Sequence, residues 1–194
     1  MSEWAFTKVA DLDQLFQEGV VVSFDSDGIA AGNLDDGLTT IKTKGIKPRW
    51  KIRIDHREDM HRNNNANTPP WNTTFLEEQK ATLLHEILHW WREIKGLEPQ
   101  RPRLALSESS YIKNEEIIDQ AAFGIVKEKP DLIDAIVLEL SARRTCRFRY
   151  ECNTPFLQYH CDLIVRYLKG LGVPKFGDEQ VIRLLRFLSE NRTP

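Results

Sequence analysis

The segment Thr82–Trp91 reads TLLHEILHWW, which sets two histidines four residues apart and a glutamate directly after the first. On an α-helix four residues are slightly more than one turn, so His85 and His89 project from the same face and can bind one metal ion. Glu86 lies beside them and can accept a proton from a metal-activated water without being a ligand itself. The segment therefore predicts a helix with two metal ligands and a general base.

The residues around this motif are uncharged, which supports a helix that runs through the core and exposes only its His/Glu strip. They are Thr82, Leu83, Leu84, Ile87, Leu88, Trp90 and Trp91. A solvated helix that carried the pattern by chance would normally have charged residues at these positions. The alternative interpretation is a pair of core histidines that are satisfied by hydrogen bonds without a metal.

A third ligand is expected, because a catalytic zinc usually takes three protein ligands and keeps a fourth position for water. The segment Asn114–Asp119 reads NEEIID and places Glu115 and Asp119 one helical turn apart. Glu115 can then bind the metal while Asp119 accepts the free ring N–H of a ligand histidine. Glu116 is the competing ligand, and the four-residue step to Asp119 favours Glu115.

The order of these two motifs resembles the gluzincin metallopeptidases, typified by thermolysin, in which HExxH is followed on a later helix by NExxxD. The resemblance implies that the zinc ligands are His85, His89 and Glu115. It also implies Glu86 as the catalytic base and Asp119 as the carboxylate that accepts a hydrogen bond from a ligand histidine, with His85 as the first choice. The implied chemistry is hydrolysis of peptide bonds with Zn²⁺ as the cofactor.

The resemblance covers about residues 50 to 125, and its specificity rests on the two motifs together. The size of the chain is also similar to that of the small intracellular zincins of the ImmA/IrrE type. The metzincin branch is excluded, because it would need a glycine and a histidine where this chain has Arg92 and Lys95. A SprT-like protease would use a third histidine, and the only one after His89 is the distant His160.

Length and composition predict one soluble domain that is large enough to bury a core. The net charge of −2 over 194 residues gives no general argument for nucleic acid or a membrane surface as a partner. No apolar run is long enough to span a bilayer, and the start Met1–Trp4 lacks the features of a signal peptide. We therefore expect a cytoplasmic protein that acts on a protein or peptide, and the oligomeric state stays open.

The three cysteines are Cys146, Cys152 and Cys161, and their odd number does not suggest a secreted disulfide framework. Reduced thiols are the expected state. Two alternatives stay open: a second, structural zinc site that includes His160, and a Cys146–Cys152 bridge across a hairpin.

The predicted fold is α+β and zincin-like, with a small N-terminal β-sheet, a central active-site helix and a helical C-terminal part. Residues 1–60 form the sheet region, 73–127 the metal-site helices and 128–194 the C-terminal part. Strands are expected at 20–24 and at 50–55, where apolar and charged residues alternate. In the family that this chain resembles, the strand just before the active-site helix borders the cleft and pairs with extended substrate. The resemblance implies this edge-strand role for residues 50–55, and a purely structural strand stays open as the alternative.

Helix boundaries follow from capping signals. Thr74 and Glu77 form a capping-box pattern that starts the active-site helix near Phe75, and Gly96 is a suitable stop. Further helices are expected at 113–127, at 130–143 with Pro130 in its first turn, at 156–169 and at 178–190. A short helix at 11–18, a loop at 60–72 and a strand or extended connection at 146–152 complete the prediction.

Peptide hydrolysis also needs a donor to the oxyanion, for which family members use a Tyr or a His. The candidates are Tyr111, Tyr150, Tyr159, His160, Arg147 and Arg149, and we choose His160. His56 and His61 are interpreted as surface or loop histidines, and Arg92 as a solvent-facing helix charge. Two other functions stay open: a zincin-fold regulatory or partner-binding protein with little hydrolytic activity, and a hydrolase of non-peptide amides.

Overall fold

The computed structural model describes part of the chain in detail. The described residues are 6, 8–12, 21–24, 32–35, 51–55, 57–59, 61, 73–96, 108–142, 146–148 and 155–170. Most of the predicted helix at 11–18, the loop after residue 61 and the helix at 178–190 lie outside them. Within the described residues a single 3₁₀ turn covers Val9–Leu12.

Four strands form one mixed sheet. They are β1 (Val21–Phe24), β2 (Gly32–Asp35), β3 (Lys51–Ile54) and β4 (Cys146–Phe148), in the order β2-β3-β1-β4. Strand β1 pairs in parallel with β3 and with β4, whereas β2 runs antiparallel to β3. The predicted strands at 20–24 and 50–55 are thus confirmed as β1 and β3, and the described part combines helices with a sheet.

The position of β3 corrects the prediction of an edge strand. β3 lies between β2 and β1, so its main-chain groups pair on both sides with strands of the protein itself. Ile52 and Ile54 are fully buried, as the period-two pattern predicts. That pattern reports which face of a strand is buried but carries no information about its neighbours in the sheet, and the prediction failed for this reason.

The sheet also extends beyond the N-terminal region to which the sequence assigned it. β4 comes from the C-terminal half and pairs with β1 along Val22–Phe24. Its three residues are too few for a clear periodic pattern, so the sequence could only suggest a strand or an extended connection there. The first and last thirds of the chain therefore share one sheet.

The described helices are α1 (Phe75–Ile94), α2 (Glu108–Glu128), α3 (Pro130–Ala142) and α4 (Pro155–Gly170). Helix α1 begins where the capping box predicts: the main-chain N–H of Thr74 donates to Glu77 Oε2 at 2.6 Å. The N–H of Glu77 donates in return to Thr74 Oγ1 at 3.3 Å. Gly96 follows the helix end with a φ of +66°, a left-handed conformation that glycine adopts without strain.

The core lies between the sheet and the helices. Helix α1 contributes its fully or almost fully buried residues Leu83, Leu84, Ile87, Leu88 and Trp90, and packs most extensively against α2. It also contacts β2, β3 and α4. None of the described helices combines the length and the apolar character that crossing a membrane requires. Helix α1 is therefore in contact with both the sheet and α2.

Candidate metal centre

Two helices bring three potential metal ligands together. His85 and His89 project from α1, and Glu115 projects from α2. The two Nε2 atoms are 2.9 Å apart, and Glu115 Oε2 lies 3.1 Å from His85 Nε2 and 3.4 Å from His89 Nε2. Among the described residues this is the group of His, Cys, Asp and Glu side chains whose ligand atoms are close enough to hold a metal ion.

The size of this triangle fits a tetrahedral zinc. Zinc bonds of about 2.0–2.1 Å in tetrahedral geometry separate neighbouring ligand atoms by about 3.3 Å. The observed separations of 2.9 to 3.4 Å lie within a few tenths of an ångström of that value. Two imidazoles and one carboxylate oxygen are also a donor set that zinc prefers, and three protein ligands leave a fourth position for water. The residues present therefore fit the ion.

Asp119 contacts the other ring nitrogen of His85. Its Oδ1 lies 2.7 Å from Nδ1 of His85, one helical turn beyond Glu115 on α2. Because a carboxylate oxygen accepts, this contact places a hydrogen on Nδ1 and leaves Nε2 as the ligand atom. The carboxylate also fixes the plane of the ring.

Hydrogen bonds within this group shift the pKa values of two of its members. Burial opposes the charged form of His85, but hydrogen bonds with Asp119 and Glu115 outweigh it and raise its pKa to about 10. Burial would likewise raise the pKa of Glu115, whereas hydrogen bonds from His85 and His89 lower it well below its usual range.

The structure distinguishes Glu115 from its neighbour Glu116. The Glu115 carboxylate contacts both ligand histidines, whereas Glu116 is exposed on the outer side of α2. Adjacent helical residues point about 100° apart, so only one of the two can face α1.

Glu86 lies between the two histidines in sequence and is only 7% exposed. Burial raises the pKa of its carboxyl group, and the nearby charges of His85 and His89 act in the opposite direction. A carboxylate with a raised pKa holds a proton more readily than one in water, which suits a group that must accept a proton and release it again.

His160 is placed differently from what its proposed role needs. It lies on α4 with 0% exposure, and its Nε2 contacts the hydroxyl of Ser141 on α3. That hydroxyl donates to the carbonyl oxygen of Val137 at 2.6 Å, so the ring N–H donates to the hydroxyl oxygen. Burial lowers the pKa of His160 to about 4 and keeps the ring neutral. An oxyanion donor must be reached by substrate, so the burial of His160 argues against that role, which stays a prediction.

The side chain of Tyr159 on α4 is likewise engaged in contacts with neighbouring helices. Its hydroxyl donates to Asp134 on α3, and the amino group of Lys80 lies 3.7 Å from the centre of its ring. The side chains of the other candidates lie outside the described residues. They are Tyr111, Tyr150, Arg147 and Arg149. We therefore assign no oxyanion donor.

The burial of three further residues can be compared with the expectation from the sequence. Arg92 is 2% exposed rather than solvent-facing, and Trp90 is fully buried, as expected for an uncharged residue beside the motif. His61 is 1% exposed and was not expected in the interior. Its neighbours in the sequence are polar residues of a predicted loop, so the sequence gives no sign that His61 is buried. Only the structure shows that its ring contacts two polar partners, Asp55 and Thr82.

The cysteine predictions are tested in part. Cys161 is fully buried and forms no disulfide with another described residue. The side chains of Cys146 and Cys152 lie outside the described residues. The predicted Cys146–Cys152 bridge and the predicted second zinc site both involve them and stay predictions. His56 lies outside as well.

Comparison of the chain with family models, with curated proteins and with solved structures found no match. The arguments on function therefore rest on the geometry of the centre and on the two sequence motifs that form it.

Proposed function

We propose that this protein is a zinc-dependent metallopeptidase with a gluzincin-type site on a zincin-like α+β domain. One observation carries the proposal: His85, His89 and Glu115 converge from two helices with the separations of a zinc ligand set, and Asp119 supports the first histidine. A pair of core histidines would not need a carboxylate from a second helix at both rings.

The chain's own residues would divide the reaction between them. Bound zinc supplies a Lewis acid that lowers the pKa of water and polarises the scissile carbonyl. Glu86 accepts the proton of the attacking water and delivers it to the leaving amine. Asp119 holds His85 in the tautomer that presents Nε2 to the ion, and Glu115 completes the ligand set and lowers its charge.

A protein or peptide is the proposed substrate. Strand β2 is an edge of the described sheet and contacts α1, so its outer main-chain groups offer an extended peptide a place to pair beside the helix that carries His85 and His89. The odd number of cysteines favours a reducing compartment, and we therefore propose a cytoplasmic substrate.

The first experiment is the zinc content of the purified protein beside that of Glu115→Ala and Glu116→Ala. We expect one zinc per wild-type chain and per Glu116→Ala chain, and a sharp loss in Glu115→Ala. Elemental analysis after chelator-free purification measures this. Zinc that stays stoichiometric in Glu115→Ala and is lost in Glu116→Ala would contradict the ligand assignment.

The second experiment separates hydrolysis from metal binding. Glu86→Gln keeps the shape of the side chain but removes the base, so it should retain zinc and lose about 10²-fold to 10⁴-fold in hydrolysis of a denatured protein substrate. Wild-type protein that binds zinc but hydrolyses no protein, peptide or simple amide would favour a partner-binding protein that keeps this site.

A further inference from the structure

His61 lies between the end of the sheet and the metal-site helix. Its Nε2 is 2.7 Å from the main-chain oxygen of Asp55, the residue directly after β3. Its Nδ1 is 3.1 Å from Oγ1 of Thr82 on α1. The ring also packs edge-on against Phe75, the first residue of α1, with 5.4 Å between centroids. One buried side chain thus contacts β3 and two turns of α1.

The hydrogen-bonding chemistry defines the form of this ring. A carbonyl oxygen only accepts, so Nε2 carries the hydrogen that Asp55 receives. Burial lowers the pKa of His61, which favours the neutral ring and leaves Nδ1 as an acceptor. The single hydrogen of the Thr82 hydroxyl has two acceptors in reach, the main-chain oxygen of Glu78 at 2.9 Å and Nδ1 of His61 at 3.1 Å. The contact between His61 and Thr82 is a hydrogen bond when this hydrogen points to Nδ1.

The other end of this connection is itself held in place. The carboxylate of Asp55 accepts from the main-chain N–H of Arg57 at 2.8 Å and from its guanidinium at 3.0 Å. Asp55 is 2% exposed, so it sits in the interior next to the last buried residue of β3. His61 therefore joins α1 to a buried, hydrogen-bonded residue directly after β3.

The contact on α1 lies next to the reactive segment. Thr82 precedes Glu86 by four residues, so the two side chains are neighbours on one face of the helix. A rotation or shift of α1 at Thr82 would move Glu86 and the two ligand histidines with it, while Glu115 stays on α2. The ligand triangle depends on this alignment to within a few tenths of an ångström.

We propose that His61 is a positioning residue, which holds α1 against the end of β3 and so sets the place of His85, Glu86 and His89 relative to Glu115. The effect of His61 on catalysis rests on the function proposed above. The effect of His61 on the conformation of α1 is independent of that function.

The test compares His61→Leu, Thr82→Val and His61→Gln with a matched control, Ser141→Ala. The control removes another contact between a buried histidine and a helix hydroxyl, at His160 on α4 instead of on α1. Two quantities are measured on folded protein: zinc affinity by chelator competition, and amide hydrogen exchange of α1 without metal. A loss of global stability alone leaves the zinc affinity of the folded protein unchanged and speeds exchange in all core helices, so the exchange of α1 is compared with that of α3 and α4.

We expect His61→Leu and Thr82→Val each to weaken zinc binding about tenfold and to speed exchange in the first half of α1 by a similar factor. The double variant should be no weaker than either single one, because both remove the same connection. His61→Gln should restore most of the affinity, since its amide can donate to Asp55 and accept from Thr82. Ser141→Ala should change neither quantity.

Wild-type affinity and unchanged α1 exchange in His61→Leu would overturn the proposal, and so would equal shifts in His61→Leu and Ser141→Ala. Wild-type protein that binds no zinc would overturn the proposed function instead. The exchange measurement then still decides on His61, because it needs no metal.

Discussion

The Asp119 carboxylate determines the orientation of His85 in the candidate metal centre. It contacts Nδ1 at 2.7 Å, so Nε2 faces Glu115 and His89. Without it the ring could rotate or carry its hydrogen on Nε2, and either change would remove a ligand atom from the triangle.

We predict that Asp119→Ala weakens zinc affinity by about 10-fold to 100-fold, the usual effect of removing such a partner. Asp119→Asn should lose less, because its amide oxygen still accepts from Nδ1. Chelator competition measures both. Gln120→Ala is the matched control, since it alters the next, exposed residue of α2. An Asp119→Ala protein with wild-type affinity would contradict the role of this carboxylate.

The burial of His160 makes stability depend on pH. Its pKa falls from 6.5 to about 4 in the folded protein. Between these two pKa values the unfolded chain therefore binds more protons than the folded protein. The contribution of neutral, buried His160 to the free energy of unfolding is fully present above pH 6.5 and is lost as the pH falls toward 4. The loss amounts to about 3 kcal/mol in the free energy of unfolding.

Urea unfolding of wild type and His160→Gln at several pH values between 4 and 7 tests this. We expect the variant to be less stable at neutral pH but to show a shallower decline on the acid side, because it has no ring to protonate. The comparison of slopes cancels other titrating groups. Equal slopes in the two proteins would show that His160 does not titrate as its burial implies.

At the scale of the elements, α1 depends on its N-terminal cap. Thr74 and Glu77 satisfy each other's main-chain N–H groups, so two of the donors that a helix start leaves open are paired. The residue at which the helix begins fixes the direction in which each later side chain points. With this start, the His/Glu strip points toward α2.

We predict that Thr74→Ala lowers the free energy of unfolding by about 1 kcal/mol, because the hydroxyl that accepts from the Glu77 N–H is lost. Thermal or urea unfolding measures the change. Thr74→Ser keeps a hydroxyl at the same place and should stay close to wild type. A serine variant as unstable as the alanine variant would show that the methyl group of Thr74, and not its capping bond, matters.

At the scale of the whole molecule, the metal would link parts that are distant in the chain. His89 and Glu115 belong to different helices, and an unfolded chain does not keep their ligand atoms together. A metal that binds the folded state alone stabilises it by mass action.

We predict that free zinc at about 100 times its Kd raises the free energy of unfolding by about 2.7 kcal/mol. Glu115→Ala should show little of this increase at the same zinc concentration. Urea unfolding with and without zinc measures the difference. An equal increase in both proteins would mean that the zinc binds elsewhere.

The sequence by itself determined the helices and the candidate ligands, because these depend on local rules. The capping box at Thr74, the proline at Pro130 and the four-residue spacing of His85 and His89 all act within one or two helical turns. The observed bounds of α1, α3 and α4 lie within one residue of the predicted ones, whereas α2 begins at Glu108, five residues before its predicted start at 113.

Only the tertiary structure decided which distant segments meet. The place of β3 inside the sheet, the pairing of β4 with β1 and the burial of His61 and His160 all join residues far apart in sequence. Hydrophobic periodicity states that a face is buried but not against what, and a single polar residue carries no signal of its burial until its partners are known. The contact of His61 with Thr82 arises in this way, through packing that no local pattern encodes.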